Sequence, residues 1–170
     1  MGFTINKKIM LDLYQIDAFT NTIFGGNPAC VVPLNSWLPD ETLLKITQEN
    51  AVAETAFFIA KEDTFHLRWF TPEVEMDLCG HATLATAHCL KAILKHPSST
   101  IVFETASGDL TVRVEGDFYF LDFPSRMPVL AALPKIIEKS LNIAPKEVYK
   151  SRDYVLVYDT EQDIKNIKIN

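Results

Sequence analysis

The sequence predicts an α+β fold, a mixed, strongly curved sheet wrapped around one buried central helix. Three observations carry that expectation. From Ala82 to Leu94 the apolar residues Ala82, Leu84, Ala85, Ala87, Cys89, Leu90, Ala92, Ile93 and Leu94 go right round a helix, and a helix that is apolar on every side has to be buried. At about fourteen residues that helix is too short to cross a bilayer. Strand-like runs with turn signals both precede and follow it, which is the α+β order.

Composition narrows the class further. With 48% hydrophobic residues, 22% charged residues and eleven Phe in 170 residues, the chain belongs with packed proteins rather than disordered ones. The net charge of -6 argues against a nucleic-acid partner, since no basic stripe exists to neutralise phosphates. The three cysteines, Cys30, Cys79 and Cys89, are odd in number and form no CxxC pair. They indicate neither a disulfide framework nor a zinc site, and a reducing cytosol is the expected compartment. No apolar core of signal-peptide length opens the chain, and no membrane association is expected.

The elements follow in order. Residues 1–9 read as an N-terminal extension, because the patterned sequence starts at Met10. Leu11–Phe19 is a β-rich first strand, Phe24–Pro28 a turn cluster, and Ala29–Val32 a strand buried on both faces. Pro39-Asp40 opens a helix with Asp40 as N-cap, an apolar stripe at Leu43, Leu44 and Ile46, and an end at Asn50. Ala56–Ala60 and Thr64–Phe70 are strands, the second alternating Phe65, Leu67 and Trp69 with polar residues. The central helix begins at Gly80, with Glu75 and Asp77 as acids that can cap it. Thr100–Glu104, Asp109–Val114 and Phe118–Phe123 are three further strands. The first domain is taken as residues 10–126. Residues 127–170 read as a linker and the start of an incomplete second domain, with a helix over Pro134–Ile143 and strands at Val148–Lys150 and Tyr154–Tyr158.

Several side chains could carry chemistry. Glu54 lies between the apolar runs Ala51–Ala53 and Ala56–Phe58, and the desolvation this threatens suits a carboxylate for general acid–base work near neutral pH. A surface turn or helix C-terminal glutamate is the plainer alternative. Cys79-Gly80-His81 places a thiol, a glycine that lets backbone approach a ligand, and an imidazole at a helix start. That position favours the thiolate and offers N–H groups to an oxyanion; the alternative is a structural cysteine beside a capping histidine. His66 and His96 read as exposed, and His88 and Cys89 as structural. His81 and His88 are too far apart to share a metal, and no metal motif, P-loop or dinucleotide-binding loop occurs. The Phe24–Pro28 cluster can cradle a carboxylate or simply turn the chain.

Taken together the motifs resemble the phenazine-biosynthesis-like isomerase family, whose members share the diaminopimelate epimerase fold. The matching stretches are Tyr14–Thr20, Phe24–Ala29, Asn50 with Glu54–Phe57, Arg68–Pro72, Glu75 and Asp77–Thr83. The resemblance implies two similar halves, each a sheet rolled round a helix, with a cleft between them that works without metal or organic cofactor. It implies Glu54 as the acid/base that moves a proton on carbon, with Cys79 and His81 as further catalytic candidates. It places Asp17, Asn27, Gly80, His81, Ala82 and Thr83 around a small carboxylate-bearing substrate. Family members are generally longer, and their second half brings an acidic Gly/Ser/His-rich loop not found after Pro128, so this chain is expected to hold half a site.

Two other readings compete. The chain can be a non-catalytic binding module that forms a homodimer through its open cleft face, because a broad exposed apolar face seeks a partner. Alternatively, Cys79 can be the nucleophile of an acyl-transfer enzyme with a histidine base.

Overall fold

The computed structural model describes residues 10–170, so the expected extension over residues 1–9 lies outside it. The chain divides into two units between Phe123 and Pro124. The first contains β1 (Tyr14–Ala18), β2 (Asn27–Leu34), α1 (Asp40–Asn50), β3 (Glu54–Ala60), β4 (Phe65–Phe70), β5 (Glu75–Met76), α2 (Gly80–His88), β6 (Thr100–Thr105), β7 (Gly108–Glu115) and β8 (Phe118–Asp122). Its sheet runs β1-β2-β3-β4-β6-β7-β8, with β5 added to β4. The β2/β3 and β4/β6 pairs are parallel and the rest antiparallel.

Curvature follows from what α2 touches. The helix packs against β1, β2 and β3 and also against β8, although β1 and β8 are the two ends of the strand order. Laid flat, six strand spacings of about 4.8 Å would separate those ends by about 29 Å, beyond the reach of one helix. The sheet therefore curls around α2. Its inner face supplies Ala29, Val31, Ala56, Phe58, Leu67, Trp69, Phe103 and Leu110 to a core shared with Ala82, Ala85 and Cys89. The alternate residues Val32, Leu34, Phe57 and Phe70 form an outer core under Leu43 of α1. Strand β2 is buried on both faces for this reason.

The helix is the expected length, but its last turn is π-helical (Cys89–Ile93) and it is not enclosed all round. β1 and β8 do not pair, so His88 is exposed between them and Leu84 half-buried, while Ile93 and Leu94 are each 42% exposed. On the enclosed side, Thr83 and Thr86 are buried because their hydroxyls donate to the carbonyls of Cys79 (2.6 Å) and Ala82 (2.7 Å), four residues back.

Other local expectations are corrected. Pro39, not Asp40, occupies the N-cap of α1. Asp40 instead accepts a bond from Arg68 (2.9 Å), whose guanidinium also pairs with Glu75 (2.7 Å) and lies over the Trp37 and Phe70 rings, 5.1 Å from each centroid. Glu75 is thus a strand residue on β5 rather than a helix cap. His66 is half-buried and accepts a bond at Nδ1 from the Trp37 indole N–H (3.2 Å), while His96 packs edge-on against Phe65. Asn27 and Pro28 belong to β2, with only the residues before them forming the turn.

The second unit, Pro124–Asn170, holds β9 (Val129–Leu130), α3 (Lys135–Ser140), β10 (Glu147–Lys150), β11 (Tyr154–Val157) and α4 (Glu161–Lys165). Its strands form an antiparallel sheet in the order β11-β10-β9. α3 is shorter than the expected helix. β9 and α4 were not foreseen, although α4 carries a capping box formed by Thr160 and Asp163. No side chain of this unit is fully buried. Among the described residues, no helix is long and apolar enough to cross a membrane.

Candidate active site

Strand parity brings the site together. Glu54 opens β3 and shares the inner face with Ala56 and Phe58, which settles its place as a strand residue rather than a turn or helix-end glutamate. The parallel register sets it opposite Ala29 of β2. Behind it, the Asn50 amide donates to the Thr55 hydroxyl (3.1 Å) and ties the end of α1 to the first turn of β3. Asn50 belongs to the matching motifs, but this bracing role is visible only once the chain is folded.

The other half of the site is the start of α2. Cys79 is its extended N-cap (φ -145°, ψ 112°), and no side chain caps the helix. His81 sits one residue inside, 8% exposed, with Nε2 3.2 Å from Glu54 Oε2, whose side chain is 18% exposed. On the far side of the ring, His81 Nδ1 lies 3.5 Å from Cys79 Sγ. Neither Glu54 Oε2 nor His81 Nε2 has an aligned hydrogen-bond partner, although both atoms are buried. Buried polar atoms are normally satisfied, and this pair at a helix N-terminus is not.

Burial pushes the Cys79 thiol up to about 11, with the backbone amides of Ala82 and His81 pulling the other way and the Glu54 charge adding to the rise. This corrects the expected thiolate. The desolvation of a cysteine that is only 7% exposed outweighs the helix terminus.

The donors of Glu54, Cys79 and His81 lie within 4.8 Å of one another, as metal ligands would. The imidazole, however, stands between the other two, one ring nitrogen toward each. That arrangement suits a hydrogen-bonded row better than convergence on a single ion.

The remaining expected residues are placed unevenly. A methyl group added at Gly80 would meet only Phe123, at 3.4 Å, so the helix start has room beside it. Ala82 and Thr83 are fully buried, and Thr83 spends its hydroxyl on the Cys79 carbonyl; they can offer backbone but not side chain. Asn27 pairs with Ala18 and lies two residues along β2 from the partner of Glu54, on the same inner face. Asp17 pairs with Pro28, on the alternate face, and lines a groove with Gln15, Phe24 and Gly26. The structure does not bring it to Glu54. A pair that sequence reasoning missed is His88 and Tyr119, whose Nδ1 and hydroxyl oxygen are 3.0 Å apart at the gap between β1 and β8; a separation of 31 positions leaves no local signal.

A family model described as "Phenazine biosynthesis-like protein" matches residues 16–136. The chain belongs to this family. Among curated relatives it is 49% identical over 154 residues to an uncharacterized isomerase of Pseudomonas aeruginosa, covering 91% of this chain and 60% of that protein. It is 43% identical to an uncharacterized isomerase of Halalkalibacterium halodurans, covering 93% of this chain and 61% of the relative. A phenazine biosynthesis protein of the PhzF family from Enterococcus faecalis, known by crystal structure, superposes with a TM-score of 0.85 at 39% identity, over 94% of this chain and 62% of that one. The chain thus spans about three-fifths of the length of the relatives it matches.

Proposed function

We propose that this chain carries the acid–base half of a cofactor-independent isomerase that moves a proton on carbon of a small carboxylate-bearing metabolite. One observation carries the reading: a half-buried glutamate and a buried histidine face each other through buried atoms, Glu54 Oε2 and His81 Nε2, at 3.2 Å at the uncapped start of α2. The names of two curated relatives, both called uncharacterized isomerases, support the reaction class.

The chemistry follows from charge development. Removing a proton next to a carboxylate or conjugated alkene places negative charge on the substrate's oxygens or π system. Backbone N–H groups and the positive end of the α2 dipole are positioned for that charge. Glu54 takes the proton and returns it at another carbon, and the buried inner face keeps it from being lost to water in between.

The test is deuterium incorporation from D2O into a panel of amino acids and cyclic diene carboxylates, followed by mass spectrometry. The wild-type protein should label at least one member and Glu54→Gln none. Labelling that survives Glu54→Gln, or a wild type that labels nothing, overturns the reading.

A homodimeric binding module is the second reading. It would pair two copies through the open cleft face, and the exposed Ile93 and Leu94 at the end of the central helix, each 42% exposed, favour it. Light scattering that gives a monodisperse monomer removes it.

A further inference from the structure

We infer that Cys79 is a positioning residue that locks His81 in the Nε2–H tautomer, so that the imidazole presents an N–H to Glu54. The inference deepens the acid–base reading above and rests on it for its consequence, not for its geometry. A neutral imidazole has one N–H and one lone pair. On one side of His81 stands a carboxylate oxygen, 3.2 Å from Nε2, and a carboxylate only accepts. On the other stands a thiol sulfur, 3.5 Å from Nδ1, a weak donor through S–H and a weak acceptor. The carboxylate therefore selects the proton on Nε2, and the S–H fits the lone pair this leaves on Nδ1. The reverse form would set a lone pair against the carboxylate and waste the N–H on sulfur. Burial holds the thiol protonated to about pH 11, so the S–H is present throughout the neutral range.

The row Cys79–His81–Glu54 thus has a direction. The thiol donates to Nδ1, Nε2 carries its proton 3.2 Å from Oε2 without yet being aligned on it, and the second Glu54 oxygen is left for the substrate proton. When substrate draws the carboxylate into alignment, the N–H is already on the correct nitrogen. His81 offers it without waiting for tautomer exchange.

Long-range 1H–15N spectra of the 15N-labelled protein read the tautomer directly, with His81 assigned by the signals lost in His81→Gln. The wild type should show a pyrrole-type Nε2 and a pyridine-type Nδ1. Cys79→Ala should move both shifts toward a tautomer mixture, and Cys79→Ser, which keeps a hydroxyl donor, should restore at least part of the difference. Removing the partner that orients a metal-bound histidine costs about 10–100-fold, and by that analogy deuterium incorporation should fall about tenfold or more in Cys79→Ala. An Nδ1–H signature in the wild type, or an unchanged His81 spectrum in folded Cys79→Ala, overturns the inference. The spectrum needs no turnover, so a correct tautomer without any deuterium incorporation leaves the inference standing and sinks the acid–base reading alone.

Discussion

Replacing Gly80 with alanine separates what the fold needs from what the site needs. Gly80 is the first residue of α2 and its φ is not positive, so an L side chain meets no backbone strain there. The added methyl would touch Phe123 alone, at 3.4 Å, a contact that a small ring shift relieves. Alanine is favoured over glycine by about 1 kcal/mol in a helix interior and by less at its first position. The expected change in stability is then between zero and about 1 kcal/mol in the stabilising direction, or roughly 0 to 4 °C in Tm. If a substrate approaches the helix N-terminus through the space a glycine leaves, the methyl blocks it. A tenfold loss of rate corresponds to about 1.4 kcal/mol of transition-state binding, and a loss of at least about that size is expected. Thermal denaturation by circular dichroism and the deuterium-incorporation rate give the two readouts. A Tm lowered by more than a few degrees would mean the glycine serves the fold. A normal Tm with an unchanged rate would mean that no ligand uses this space.

Three further outcomes follow from the structure. Gly26→Ala should be the opposite case, because its φ is +69° and a Cβ would lie 2.1 Å from the Ala18 carbonyl oxygen; a loss of about 2–4 kcal/mol by urea denaturation is expected, and a loss under 0.5 kcal/mol would show that the β1–β2 turn has slack. Leu43→Ala removes the fully buried side chain by which α1 anchors the outer core, and should cost about 2–5 kcal/mol with an unchanged denaturant slope. The third concerns alkaline pH: burial raises both Cys79 and Cys89 from 9.0 to about 11. Between those values the unfolded chain releases thiol protons that the folded protein keeps, so stability is full below about pH 9 and falls as pH rises toward 11, by up to roughly 1.4 kcal/mol per unit for each thiol. Cys89→Ala should flatten that fall, and an identical slope in the variant would refute the assignment.

The site was legible to different depths at different residues. Glu54, Gly80 and His81 stood out because chemical type, an apolar setting and a helix start coincide within a few residues. The state of Cys79 was misjudged because sequence shows that a thiol begins a helix but not how deeply the inner face of the sheet covers it. The resemblance grouped Asp17 with the substrate site, while its register opposite Pro28 sets it on the other face of β1 from Ile16 and Ala18. A shift of one residue along a strand turns a side chain through the sheet, which proximity in sequence cannot reveal.

Local patterns decided the α+β class, the central helix and the alternation of β4, because periodicity and turn chemistry act over a few residues. Tertiary structure decided the rest. The gap between β1 and β8, which leaves one side of α2 open, depends on how far the sheet curls. The outward turn of Arg68 toward Asp40 and Glu75, which removed two expected helix caps, depends on residues up to 28 positions apart. The meeting of Glu54 with His81 crosses 26 intervening residues. Strand register and helix packing set such encounters, and both are properties of the folded chain as a whole.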